Sequence, residues 1–543
     1  MNNRTDTRIG EKLYQSGKKP LFKYLQQHAE DRPMDTAYIY YGRTLTWKEL
    51  LEQVQSLAGY LVRAGFEKGD RIGLFMQNSP QYIIAHYAIQ YIGAIVCPLN
   101  PMYKASELDH LISEVEMKGL FAGGEVLPEA RKVRNQLHQI IVVRYDDFIS
   151  EHSSWRVPED LNNSSIELKE NEEHWSEIME NAEPLKEPEE VDMEDTALLA
   201  FTSGTTGRPK AAMLSYKNAL YKTAAAVEAN DVKEQETWLA VMPLCHIAGM
   251  VMGVNIPAYT GSPCVLFARF DPPEVLRALY EYEVSIWYSI APMNEALLSI
   301  AEENKLDHLR INLCTSFGMP VTNNLAQRWQ KVAPQCTLFE ASYGLSETHT
   351  VDTYMPQNNI KFGSVGIPIP ESSIEIHDPA TGEPQMIGDS GEIVIQSPGV
   401  FKGYWGRPEA TSETLYNGWL HTGDIGHFDE DGYLYFQGRI KEMIKSSGFS
   451  VFPEDVEALL KEHSAIAQAA VIGVPDQSKG EVVKAFVILK EEHSLDESEL
   501  REWAKENMAR YKVPEQVEFR ASLPQTGAGK ILRRVLKDQE VQK

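Results

Sequence analysis

The chain is short of paired cysteines, long apolar runs and positive charge, and each shortage removes a class of protein. Its five cysteines, Cys97, Cys245, Cys264, Cys314 and Cys336, are odd in number, far apart and nowhere spaced as Cys-x-x-Cys. Neither a disulfide framework nor a thiolate zinc site is expected. The longest apolar stretch, 82–99, is interrupted by His86 and Gln90 and falls short of the roughly 20 residues that span a bilayer. The opening residues lack the apolar core of a signal peptide. These absences predict a reduced, cytoplasmic protein with no transmembrane segment. Lys and Arg number 52 against 78 Asp and Glu, a net charge of −26. Such a chain lacks the long-range attraction to phosphate backbones that general nucleic-acid binding needs, so no nucleic-acid partner is expected.

What is present is the composition of a globular protein, 43% hydrophobic and 24% charged over 543 residues, too long for one core. Thr46 with Glu49 forms a capping box, and Leu50, Val54, Leu57, Ala58 and Leu61 then fall on one helical face. Residues 71–76 read as a buried strand, and 79–100 as a buried helix running into a second strand. That alternation predicts parallel strands with crossover helices. The acidic, apolar-poor stretch 170–195, with Pro184 and Pro188, reads as a solvated connection. After Gly391 come short strands and turns. From about Ile440 the pattern is strand, helix, strands, helix and basic tail, enough for a separate domain of about a hundred residues. The predicted fold class is α/β: a large N-terminal α/β domain with a β-rich subdomain, 1–438, and a small mobile C-terminal α+β domain, 439–543.

The sharpest motif is Thr202-Ser203-Gly204-Thr205-Thr206-Gly207-Arg208-Pro209-Lys210, after the apolar run 197–201. Two glycines permit tight turns, hydroxyls and amides donate to phosphate oxygens, and Lys210 adds charge. The Walker ending Gly-Lys-Ser/Thr is missing. Downstream lie Tyr343-Gly344-Leu345-Ser346-Glu347-Thr348, then Trp419 to Asp424, then Gly438-Arg439-Ile440-Lys441-Glu442, and last Thr526-Gly527-Ala528-Gly529-Lys530. An aromatic stacks on a base, a carboxylate such as Asp424 accepts ribose hydroxyls, and Glu347 offers Mg²⁺ a hard oxygen. Singly, each of these segments reads equally as a strand end, a charged turn or a tail.

In this order the motifs resemble the signatures of the acyl-adenylating enzyme superfamily, which includes acyl-CoA synthetases, adenylation domains of peptide synthetases and luciferases. The resemblance is closest to fatty-acid CoA ligases and covers nearly the whole chain. It implies ATP, Mg²⁺ and CoA as cofactors, with the loop Thr202, Ser203, Gly204, Thr205, Thr206, Gly207 and Lys210 around the β- and γ-phosphates. Thr206 and Glu347 would sit near Mg²⁺, Tyr343, Gly344 and Ser346 in the nucleotide site, Asp424 at the ribose, and Arg439 at ribose or phosphate. Lys441 would be the hinge, Lys530 would bridge substrate carboxylate and α-phosphate, and Ser447 and Gly448 would line the thiol's entry. His246 has two readings, a packed core residue or, by family analogy, a border of the acyl pocket. Trp287, Phe317 and Gly318 are further pocket residues on this resemblance, Trp287 being a core strand residue by default.

The implied reaction is ATP-dependent activation of a carboxylic acid, with a medium- or long-chain fatty acid as the leading expectation, followed by transfer to CoA. Extra bulk at Thr315, Ser316 or Phe317 argues for a shorter or less usual acid. The rivals are a stand-alone adenylation enzyme that loads an amino or aryl acid onto a carrier protein, and a non-catalytic binding relative. No pocket Asp that would pair with an amino acid's ammonium is recognisable, and 241–254 is largely apolar. Homodimers occur among relatives and the sequence leaves assembly open. Anionic substrates predict a locally positive site around Lys210, Arg439, Lys441 and Lys530.

Overall fold

The computed structural model describes residues 13–541 except 15, 151–152, 162–165, 203–208, 235, 304, 317–320, 447–448, 477–479 and 526–530. The capping box forms as the sequence requires. Glu49 N–H donates to Thr46 Oγ1 at 3.2 Å and Thr46 N–H to Glu49 Oε2 at 2.8 Å. The helix Trp47–Arg63 follows, with all five stripe residues buried. It packs on the helix Pro80–Tyr91, which is mainly apolar and buried at every position, Gln81, His86 and Gln90 included, as a helix enclosed between layers is.

Among the described residues two seven-stranded sheets form the bulk of the chain. One runs Glu172–His174, Gln139–Val143, Gly119–Gly123, Arg71–Phe75, Ile95–Leu99, Thr196–Thr202, Lys210–Ser215. It is parallel except for the final pair. The other runs Phe339–Glu340, Ile311–Thr315, Ile286–Ile290, Trp238–Ala240, Cys264–Leu266, Thr36–Tyr40, Arg43–Thr46, again antiparallel only at its last pair. An antiparallel sheet of Ser373–His377, Gly391–Gln396, Trp419–Phe428, Leu415–Tyr416 and Leu434–Arg439 adjoins them. This is the β-rich part that the short strands after Gly391 predicted.

The last unit is a sheet of Ile444–Ser446, Phe449–Val451, Ile466–Asp476, Gly480–Leu489 and Gln516–Phe519. The helices Pro453–Lys461, Glu497–Asn507 and Arg533–Val541 accompany it. Its apolar residues make two clusters of their own, one around Val456, Val471 and Leu500, the other around Ile472, Phe486 and Leu536.

The solvated reading of 170–195 holds for 182–195, which has no helix, strand or buried residue, and is corrected for 172–181. Glu172–His174 is an edge strand and Trp175–Asn181 a helix that buries Trp175 and Ile178. The buried Glu172 carboxylate is neutralised by Arg131 at 2.7 Å. The acidic composition concealed a few anchoring residues. Among the described residues no helix is long and apolar enough to cross a membrane.

Candidate active site

Ligands of open α/β sheets gather at strand carboxyl ends, and here several such ends open into one cavity of about 1090 Å³. Thr202 faces Lys210 across the hairpin Thr196–Thr202/Lys210–Ser215. Both flank the polar loop and line the cavity. The antiparallel sheet and the last unit supply its remaining walls.

Strand register sets the first polar cluster. Asp424 pairs with Arg439 across Trp419–Phe428 and Leu434–Arg439, which puts Arg439 Nε 3.1 Å from Asp424 Oδ1. The Tyr343 hydroxyl donates to Oδ2 at 2.7 Å, and its ring stacks on Phe436 at 6.0 Å. Burial, with the Asp424 carboxylate beside it, holds the Tyr343 phenol well above the ordinary range. A second cluster joins Glu347 to Lys210 through a residue that sequence reading missed. The Tyr404 hydroxyl donates to Glu347 Oε1 at 2.8 Å, while Lys210 Nζ lies 4.7 Å over the Tyr404 ring.

The turn Ser346–Thr348 holds Glu347 and leads into an unusual backbone. His349, Thr350 and Val351 all have left-handed φ, 58°, 58° and 47°, a run that L-residues with Cβ adopt only under constraint. The constraint is a buried ion pair, Lys222 Nζ to Asp352 Oδ1 at 2.5 Å, both side chains fully buried. Lys222 also donates to Val351 O at 3.0 Å, and the Thr348 hydroxyl bonds Asp352. Here Gly344 is required by proximity: a Cβ would lie 2.4 Å from Val351 N.

The third region is apolar on one side. His246 caps the helix Ile247–Met250, accepting from Ala248 N–H at 3.3 Å. His246, Ile247, Ala248 and Met252 line the cavity. Lining it as well are Tyr288, Thr315, Ser316 and Glu340. Burial pushes the Glu340 carboxyl up to about 7, against the opposing pull of Ser316. Trp287 is corrected. Strand alternation sends Tyr288 to the cavity and buries the Trp287 ring against Trp329, at 6.1 Å.

The cavity thus gathers Thr202, Lys210, His246, Tyr343, Gly344, Ser346, Glu347, Asp424, Arg439 and Lys441. Ser203, Gly204, Thr205, Thr206, Gly207, Phe317, Gly318, Ser447, Gly448 and Lys530 lie outside the described residues. The expected local positive charge is not met among the described lining, where carboxylates outnumber lysines and arginines. Several of these carboxylates are already engaged: Glu442, Glu454 and Glu457 all pair with Arg533. Among the described residues no group of three or more His, Cys, Asp or Glu forms a metal cage. Glu347 is a hard oxygen donor on the same cavity as Thr202 and Lys210, which fits an ion held by one carboxylate and by phosphate oxygens, the habit of Mg²⁺.

Residues 25–405 match the family described as AMP-binding enzyme, and 455–530 the AMP-binding enzyme C-terminal domain. A long-chain-fatty-acid–CoA ligase of Bacillus subtilis (strain 168) is 34% identical, over 96% of this chain and 95% of its own. A feruloyl-CoA synthase of Amycolatopsis sp is also 34% identical, over 93% and 96%. Among solved structures, an o-succinylbenzoate coenzyme A synthetase of Bacillus subtilis in complex with ATP and a magnesium ion aligns with a TM-score of 0.81. It is 27% identical and covers 96% of this chain and 100% of that one.

Proposed function

The chain belongs to the AMP-binding enzyme family and is an AMP-forming acid–CoA ligase, and from that premise we propose the division of labour within its cavity and the acid it takes. The observation that carries the reading is that one cavity holds Thr202 and Lys210, which flank the phosphate-type motif in sequence, a buried carboxylate flanked by Tyr343 and Arg439, and an apolar wall. Asp424 would accept the ribose hydroxyls, with Tyr343 and Gly344 along the adenine. Thr202, Lys210 and the loop between them would take the β- and γ-phosphates, with Ser346 and Glu347 beside them. Glu347 and Thr206 would hold Mg²⁺, whose positive charge would offset the negative charge of the triphosphate when bound. The wall from His246 to Met252 would receive the acyl tail.

The acid's carboxylate attacks the α-phosphorus, and pyrophosphate leaves. Two anions must meet, so a point charge aimed at the junction stabilises the transition state, the role of Lys530. The CoA thiol then attacks the acyl carbon of the adenylate, loses its proton and displaces AMP. Residues 439–543 would rotate about Lys441 between the two steps, bringing Ser447 and Gly448 to the thiol, a gating motion of a familiar kind.

For the acid, a medium- or long-chain fatty acid is the first reading, supported by the Bacillus subtilis relative's own name. An aryl acid is the second, favoured by the feruloyl-CoA synthase relative and by the polar group at Glu340. The test is CoA-dependent AMP release over short, medium, long, aryl and amino acids. Turnover of amino acids alone, or of none, would overturn the reading. Lys530→Ala should abolish acid-dependent pyrophosphate exchange yet leave thioester formation from supplied acyl-adenylate largely intact. Equal loss of both would remove Lys530 from the first step.

A further inference from the structure

We propose that Glu340, with the hydroxyls of Tyr288 and Thr315, makes a polar end to the acyl region and selects an acid whose tail carries a hydroxyl group. The inference rests on the acyl assignment of the His246 wall made above. Three neighbouring strands deliver the three groups. Glu340 ends Phe339–Glu340 opposite Cys314, Thr315 ends the adjacent Ile311–Thr315, and Tyr288 lies in Ile286–Ile290 beyond it. All three line the cavity. The Tyr288 and Thr315 hydroxyls share a 3.1 Å hydrogen bond, and Ser316 N–H donates to Glu340 Oε1 at 2.9 Å.

Glu340 differs from three other sheltered carboxylates among the described residues. Asp352 has Lys222, Glu172 has Arg131 and Asp424 has Arg439. For Glu340 the influences on acidity among the described residues are burial and Ser316, with no cation. Ser316 meets one oxygen of the Glu340 carboxyl, and burial is costly for whatever polar capacity stays unmet, so with no cation beside it among the described residues this carboxyl on a cavity wall is placed to receive a donor from the ligand. The companions of Glu340 decide which donor. Two hydroxyls joined by one hydrogen bond use one O–H between them, and the other O–H can donate outward. A ligand group that both donates and accepts matches this set. A hydroxyl does so, whereas an ammonium only donates. The apolar residues Ile247, Ala248 and Met252 leave the rest of the tail to hydrocarbon or an aromatic ring.

The test compares kcat/KM for CoA-dependent AMP release within matched pairs: decanoate and its ω-hydroxy analogue, hexadecanoate and its ω-hydroxy analogue, ferulate and its O-methyl ether. A site built to bond a substrate hydroxyl rejects the analogue lacking it strongly, so in at least one pair the wild type should favour the hydroxyl form by about tenfold or more. Aliphatic and aryl pairs separate the two sources of hydroxyl. Glu340→Leu should erase or invert that ratio, while Glu340→Gln, whose amide still accepts, should keep much of it. Tyr288→Phe provides a milder variant, expected to cut the preference severalfold. A wild type that favours the unsubstituted acid in every pair, or a ratio unchanged in both Glu340→Leu and Tyr288→Phe, overturns the role of Glu340 alone. Failure to activate any acid overturns the ligase reading and this inference with it.

Discussion

Asp424 is 2% exposed, and its two oxygens are met by Arg439 and the Tyr343 hydroxyl. Those contacts also aim it. Asp424→Ala removes an acceptor whose hydrogen bonds as a charged group contribute about 1.5–3 kcal/mol, so the KM for ATP should rise about 10- to 100-fold. The KM for the acid should change by less than about twofold. Initial-rate kinetics with each substrate varied would decide: equal rises for both substrates, or none for ATP, would detach Asp424 from the nucleotide. At this scale the motif residues were legible because their spacing is itself the signal. Tyr404 and Glu340 were not, since their chemistry comes from what other strands bring beside them. Trp287 and Tyr288 show why: a strand's alternation is evident from sequence, but not which parity faces the cavity.

Among elements, the segment 343–352 is the most constrained. Three successive left-handed residues cost of order 1–2 kcal/mol each, and the fold holds them by anchoring Asp352 to Lys222 of the helix Tyr216–Ala229. The sequence hides this device, because Lys222 and Asp352 are distant in the chain and neither belongs to a recognisable motif. Lys222→Met leaves a buried charge without its partner and should lower stability by about 3–5 kcal/mol. Lys222→Met with Asp352→Leu should recover much of that loss, since a pair of apolar residues leaves no charge buried. Activity of the double variant should nevertheless stay low, because Thr348 and Val351 O lose the partners that hold Glu347's turn. Chemical denaturation of the three proteins measures the first effect, and pyrophosphate exchange the second. A double variant no more stable than the single, or fully active, would deny the pair this positioning role. Capped helices and buried strands were legible by contrast, because the Thr46–Glu49 box and the Pro80–Tyr91 run are local signals.

At the scale of the molecule, the negative balance of −26 is met again among the described residues of the cavity lining, so the proposed Mg²⁺ site and the lysines of the two polar loops would offset the triphosphate against that background. Beside the proposed 438/439 boundary the chain is held from both sides. Arg439 is tied to the large part through Asp424. Glu442 is tied to the last unit through Arg533, which also holds Glu454 at 2.7 Å and Glu457 at 2.8 Å. Gly438, at φ 144°, packs so closely that a Cβ would lie 2.6 Å from Glu454 Oε2. Between these anchorages stand Ile440 and Lys441, in the short 3₁₀ turn Ile440–Glu442. The proposed rotation of one part on the other would be absorbed there. A 3₁₀ turn has φ near the value proline imposes, so Lys441→Pro should preserve the present arrangement and bar those that need another φ. Thioester formation from supplied acyl-adenylate should fall by about tenfold or more while pyrophosphate exchange changes by less than about threefold, since fixing one φ removes the rotation and leaves the cavity intact. Unchanged thioester formation would move the hinge elsewhere, and equal loss of both steps would mean that the substitution damages the cavity itself.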